Sequence, residues 1–224
     1  MLEMLYWAAI CFILPGGLLI YSIRRGRTCA AYYLLGAVVF TLTQPLFRIP
    51  ILEQVLSYQT WFIRMQVQMP IFVTALFYAF SAGLVEEVGR YLGLRILKRG
   101  QAPWPAGLLF GLGHGCAEAV WVGWMLARSG SEISKINYLL CGYERMCTIM
   151  VHAGLALLVL KGVRQRKGRW LVLAVVLHTV LDLAAVMFST KGILISEGVL
   201  LPCALIALVW ILYYRKKEKR REVL

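Results

Sequence analysis

The sequence predicts an all-α bundle of about seven transmembrane helices, folded as one integral membrane domain over residues 1–224. Three observations predict it. Hydrophobic residues make up 60% of the chain and charged residues only 16%, whereas soluble domains carry about 25% charged residues. Seven apolar runs approach the roughly 20 residues needed to cross a hydrocarbon core. Lys and Arg gather in the short segments between those runs.

The first run, 5–23, is followed by Arg24, Arg25 and Arg27. A secretory signal carries its positive charge before the apolar stretch, so this run reads as a retained first span that starts outside. The second span covers 30–47. Residues 48–68, with Arg48, Glu53 and Arg64, read as an interfacial helix on the outer face. The third run, 69–97, is long for one crossing and implies tilt or extension beyond the bilayer. The remaining spans are 103–126, 141–161, 170–188 and 193–214. Pro15, Pro45 and Pro202 mark places where a helix can break locally.

Charge sets the expected topology. The loops after spans one, three and five and the C-terminal tail hold seventeen basic residues, among them Arg95, Lys98, Arg99, Lys219 and Arg221. The other side holds five: Arg48, Arg64, Arg128, Lys135 and Lys191. Basic loops stay in the cytoplasm, so the expected state is multi-pass in the cell membrane, N-terminus outside and C-terminus cytoplasmic. The net charge of +13 follows from these clusters. They flank apolar spans and line no soluble face, so a nucleic-acid partner is not expected. The basic tail fits contact with anionic lipid, or a plain topology anchor. The six cysteines contain no CxxC pair and read as small hydrophobes, with no disulfide framework.

Ionisable groups inside a span cost roughly 2.5 kcal/mol or more each. This chain has ten: Glu86, Glu87, Arg90, His114, Glu118, Glu144, Arg145, His152, His178 and Asp182. All three histidines of the protein are in that set. Glu86 and Arg90, His114 and Glu118, and His178 and Asp182 are each four apart, so each pair shares one helix face. Arg145 and His152 are seven apart, again on one face. Glu86, His114, His152 and His178 lie eight to eleven residues from the basic end of their spans, a depth of about 12–17 Å at ~1.5 Å per residue. One cavity at that depth, open to water from the cytoplasmic side, would satisfy all of them. Gly107, Gly111, Gly113 and Gly115 permit close helix approach around His114. Trp104, Trp121, Trp124, Trp170 and Trp210 fall near span ends and read as interfacial anchors.

Such a cluster supports two chemistries. One is hydrolysis, by a metal with an open position or by a glutamate-activated water. The other is movement of protons or metal ions along an acid and histidine relay. A non-catalytic immunity or chaperone protein of the same fold is a third class. Convergence of the polar groups from one half of the membrane favours the enzyme, since a transporter needs access on both sides.

The ordered motifs E-E-x-x-R at 86–90, F-x-x-x-H at 110–114 and H-x-x-x-D at 178–182 resemble a superfamily of intramembrane peptidases. It includes the CAAX prenyl endopeptidases, the bacteriocin-processing membrane proteases and the PrsW-type proteases. The stretches GLVEEVGRY, GLGHGCAEA and YERMCTIMVHAGLALLVL are most similar to the YhfC-type membrane peptidases. The resemblance covers about residues 69–188, a peptidase-like core. It implies a membrane endopeptidase that cleaves a membrane-protein or membrane-bound peptide substrate within or beside the lipid bilayer. It also implies that Glu86 or Glu87 activates water and that Arg90 holds the glutamate pair. His114 and His178 would polarise water and carbonyl, directly or through a metal, and Asp182 would orient His178. An inferred zinc ion would draw on His114, Glu118, His152 and His178. Glu118, Glu144, Arg145 and His152 match the YhfC-type pattern. Two departures stand out. The first motif is one residue shorter than the usual E-E-x-x-x-R. Asp182 stands where prenyl endopeptidases carry Asn, which argues against a prenylated substrate. The sequence assigns no oligomeric state.

Overall fold

A computed structural model describes residues 1–129, 134–189 and 193–223. Lys191, counted above with the outer side, lies outside the described residues, as do the side chains of Lys98, Arg99, Lys219 and Arg221. The described chain is helical throughout. In order, the helices are α1 (Leu2–Arg24), α2 (Arg27–Tyr58), α3 (Thr60–Gln68), α4 (Ile71–Ile96), α5 (Trp104–Arg128), α6 (Lys135–Gln165), α7 (Arg169–Ser189) and α8 (Ile193–Val223).

Among the described residues, six helices are long and apolar enough to cross a membrane: α1, α2, α4, α6, α7 and α8. Helix α5 has the length, 25 residues, or about 37 Å at 1.5 Å per residue. Its five glycines, His114 and Glu118 make it more polar than the rest. It packs between α2 and α6, which shields those groups from lipid.

The prolines do not break their helices. Pro15 follows a π-helical turn at Ala9–Ile13, and Pro45 lies inside another at Gln44–Arg48. A widened turn absorbs the missing N–H and the ring clash that proline brings. Pro15's own carbonyl accepts the Tyr33 hydroxyl at 2.9 Å. Helix α2 therefore runs 32 residues to Tyr58, well past the expected end at 47. Only Thr60–Gln68 forms a separate short helix. Arg48, expected at the outer interface, turns inward instead. Its guanidinium donates to Gln44 Oε1 at 3.0 Å, Ser81 Oγ at 3.0 Å and the Tyr78 carbonyl at 2.7 Å. Pro202 lies inside α8.

Helix α6 is the hub. It packs against α1, α4, α5, α7 and α8, and 78% of its membrane-length window is buried, against 17–33% in the other five. One end of the bundle gathers the basic turns. Arg164 pairs with Glu218 at 2.6 Å, the Lys161 ammonium sits 3.5 Å from the Trp170 ring centre, and Tyr91, Arg95, Gly100, Gln101, Val163 and Arg166 line one surface recess. Just inside that end lies a dry apolar cluster that includes Leu94, Ala106, Phe110, Leu157 and Leu160. All six cysteines are free.

The helix crossing that places His114 depends on two glycines. A Cβ on Gly36 would collide with the Phe110 carbonyl, and a Cβ on Gly113 with the Tyr33 carbonyl. Each is backbone, so a side chain can be admitted only by moving a helix. Gly111 and Gly115 make the same close approach to Ala153 and Ile149 on α6. Gly113→Ala and Gly36→Ala are each expected to destabilise the fold by about 1–3 kcal/mol, the usual cost of overpacking. Thermal melting of the purified protein in detergent checks this. An unchanged Tm would mean that α2 and α5 do not approach this closely.

Candidate functional site

The groups that share one face of each helix meet in the middle of the bundle. On α4, Glu86, Glu87 and Arg90 are buried together, with Glu87 and Arg90 at 0% exposure. Arg90 pairs with Glu87 through Oε1. The four-residue spacing to Glu86 does not produce the pair; the three-residue spacing does. The same Glu87 oxygen accepts the His178 Nδ1–H of α7 at 2.8 Å. The other arm of Arg90 donates to His152 Nδ1 on α6 at 2.9 Å.

Tautomers follow from these partners. A guanidinium only donates, so His152 Nδ1 is an acceptor and its proton is on Nε2. That nitrogen lies against the Glu118 carboxylate of α5. Glu118 also takes Arg145 from α6, and Arg145 reaches Glu144. The seven-residue spacing of Arg145 and His152 thus puts both on the same glutamate.

Glu86 makes a different set of contacts. Its Oε2 lies 2.9 Å from His114 Nε2 and 3.9 Å from His178 Nε2. Its Oε1 accepts the Gln44 side-chain amide. Gln44 is oriented by Arg48, which holds the Gln44 oxygen and so turns the NH2 toward Glu86. Asp182 Oδ2 lies 3.6 Å from His178 Nε2. The ring centres of His114 and His152 are 5.0 Å apart, and those of His152 and His178 are 5.5 Å apart.

All eight sequence-derived site residues therefore fall in one cluster, but with divided surroundings. Glu86, Glu118, His152, His178 and Asp182 line a cavity of about 380 Å³. His114, Glu87 and Arg90 lie behind that wall. Gln44 and Arg48 were missed as site residues, although they too are four apart and Gln44 interrupts an apolar span just before Pro45. The π-helical turn at 44–48 is what aims them inward, and such turns frequent functional sites. Trp121, expected as an interfacial anchor, lines the cavity.

The donor set suits a metal. Glu86, His114 and His152 each offer a ligand atom, and these atoms lie within 4.8 Å of one another, all buried. Two imidazoles and a carboxylate match the ligands of borderline metals such as zinc. Two buried atoms of neighbouring residues, His114 Nδ1 and Glu87 Oε2, have no hydrogen-bond partner. Unpartnered buried polar atoms are rare and call for an explanation such as an ion. His178 stands outside this close trio, nearer Glu87.

No solved structure matches the chain. The chain is 28% identical to a Bacillus subtilis (strain 168) protein called uncharacterized membrane protein YhfC, over 249 aligned positions covering 95% of this chain and 93% of that one. The model of the YhfC intramembrane metalloprotease family matches residues 10–130 and 125–201, and the chain belongs to that family.

Proposed function

We propose that this protein is an intramembrane metallopeptidase whose metal is held by Glu86, His114 and His152. One observation carries the reading: three metal-capable donors from three different helices lie within 4.8 Å of one another, and two of them, Glu86 and His152, line the cavity. When bound, a metal of the zinc class lowers the pKa of its water to about 7 and polarises a substrate carbonyl.

The remaining residues have separable tasks. Glu118 lines the cavity against His152 and takes the proton of the attacking water as general base. His178 gives its Nδ1–H to Glu87, which leaves Nε2 toward Asp182 and the cavity. Protonated on both ring nitrogens, it gives the Nε2 proton to the leaving amine as the C–N bond breaks, and the proton that Glu118 took from water then restores it. Arg90 and Gln44 are positioning residues. Arg90 holds Glu87 and His152, and Gln44 fixes the rotation of Glu86. His152 has a single lone pair, and Arg90 occupies it. Ligation through Nε2 requires Arg90 to release Nδ1. The unpaired Glu87 Oε2, on the carboxylate that Arg90 already holds, is ready to receive the freed arm.

Metal content and proteolysis separate these roles. Wild-type protein purified in detergent should carry about one zinc per chain by elemental analysis. Glu86→Gln and His114→Ala should lose most of it. Glu118→Gln should keep its metal and lose cleavage, read as membrane-protein terminal peptides present with wild type and absent with the variant at equal expression. Wild type without bound metal, or terminal peptides that persist in Glu118→Gln, would overturn the assignment.

Arg90→Met leaves Glu87 buried without its cation. Breaking a buried pair from one side costs about 3–5 kcal/mol, so the variant should melt well below wild type. The double variant Arg90→Met/Glu87→Leu should recover much of that loss, because neither charge is then stranded. Melting curves of the two variants decide whether the pair is as deeply buried as described.

A further inference from the structure

We propose that the site opens to the membrane face opposite the basic turns, so that substrate and attacking water arrive from the extracytoplasmic side. The word substrate rests on the peptidase reading above; the direction of access does not. The expectation from sequence was the reverse, a cavity open toward the basic side.

Two halves of the bundle carry the inference. Beyond the histidine layer, the cavity wall continues mainly in one direction, with Leu155 of α6 one turn the other way. It reaches Arg48 on α2, Tyr78 on α4, Trp121 on α5, Glu144 on α6 and Val186 on α7. Each of these residues lies further than Glu86, His114, His152 or His178 from the end where Arg95, Gln101 and Arg166 meet. The wall also bears charge of both signs, with Arg145, Glu144 and Asp182 on it. Water wets such a surface, and the cavity's size falls within the roughly 300–1,000 Å³ of ligand sites.

The other half is closed between α4, α5 and α6, and the recess that does reach the basic end, between α6, α7 and α8, is an apolar groove lined by Leu158, Leu173, Leu177, Ile206 and Trp170. Leu94, Ala106, Phe110, Leu157 and Leu160 fill the space between the histidine layer and the basic turns, all at 0% exposure. A packed apolar layer offers a polar chain no hydrogen-bond partner, and an unsatisfied amide there costs roughly 2–7 kcal/mol. Basic loops mark the cytoplasmic side, which makes the open half the outer one. The substrate class is then a membrane protein whose scissile bond lies at the outer end of its span or just beyond it. A bond in a cytoplasmic tail faces the closed end.

Cysteine accessibility tests this without needing activity. Thr148→Cys and Ala185→Cys place a thiol on the cavity wall, and Gln101→Cys places one at the basic end. The native cysteines are replaced in one series and kept in a second, in case the cysteine-free chain does not fold; wild-type labelling then sets the background. A membrane-impermeant thiol reagent is applied to intact cells and to inverted vesicles. The cavity thiols should label at least tenfold more in cells than in inverted vesicles, with the opposite ratio for Gln101→Cys. Labelling of the cavity positions from the Gln101 face, or from neither face, would overturn the proposal. Repeating the measurement in Glu118→Gln keeps the outcomes apart. Loss of cleavage there with unchanged labelling separates access from chemistry, and persistent cleavage defeats the peptidase assignment while leaving the direction of access standing.

Discussion

The bundle is organised around one buried charge pair. Arg90 and Glu87 have no exposure at all, and ions in that position cost several kcal/mol each unless paired and hydrogen-bonded. Neither residue is satisfied by its own helix. Glu87 needs His178 from α7, and Arg90 needs His152 from α6. Three helices are thereby tied at one depth and in one rotation. The geometry of the cavity wall follows, since the same histidines present their other ring nitrogen, Nε2, to Glu86, Glu118 and Asp182. Stability and site geometry rest on the same contacts here.

The backbone supplies the precision that the charges require. His114 comes from α5, and its placement relies on packing as well as on its contact with Glu86. Gly36 and Gly113 let α2 and α5 touch through main chain, while Gly111 and Gly115 do the same toward α6. Contacts between main chains have no side-chain rotamers to relax into, so the position of the His114 ring is fixed by helix geometry. The opposite solution serves α2 beyond Pro45. There a widened turn rotates Gln44 and Arg48 toward Glu86, which a regular helix at that point would not do. Close packing holds one candidate metal donor and a local irregularity aims the group that steadies another.

Much of this was legible in the sequence because membrane burial makes polar residues conspicuous. The pairs at 114 and 118 and at 178 and 182, and the glutamates at 86 and 87, stand out against apolar runs, and all of them meet in one cluster. Three features were not legible. Arg48 follows the expected end of a span, and its inward turn depends on a π-helical bend that apolar periodicity does not encode. The partner of Arg90 depends on which rotamer reaches α6, and spacing allowed either glutamate. The direction of the cavity depends on side-chain volume. Counting residues from a span end measures depth, but depth is nearly the same from both faces for a group near the middle. What decides the open side is that Leu94, Phe110, Leu157 and Leu160 fill one half while Glu144, Arg145 and Asp182 line the other.

That asymmetry also separates the two chemistries which the cluster alone leaves open. Moving an ion across a membrane requires polar access to the site from each face in turn. Hydrolysis requires access from one face only, and gains from a closed floor, because a low-dielectric wall strengthens every electrostatic contact to the reacting atoms. In this bundle the floor is built from the most tightly packed stretch of its most buried helix: Ala153, Ala156, Leu157, Val159 and Leu160 of α6 are all at 0% exposure. Opening a second path would mean parting that layer and stranding Arg90 at once, since α6 carries both the apolar floor and the His152 that Arg90 needs. The element that would have to move for transport is therefore the one the buried charges hold most firmly, which favours the proposed peptidase over a transporter.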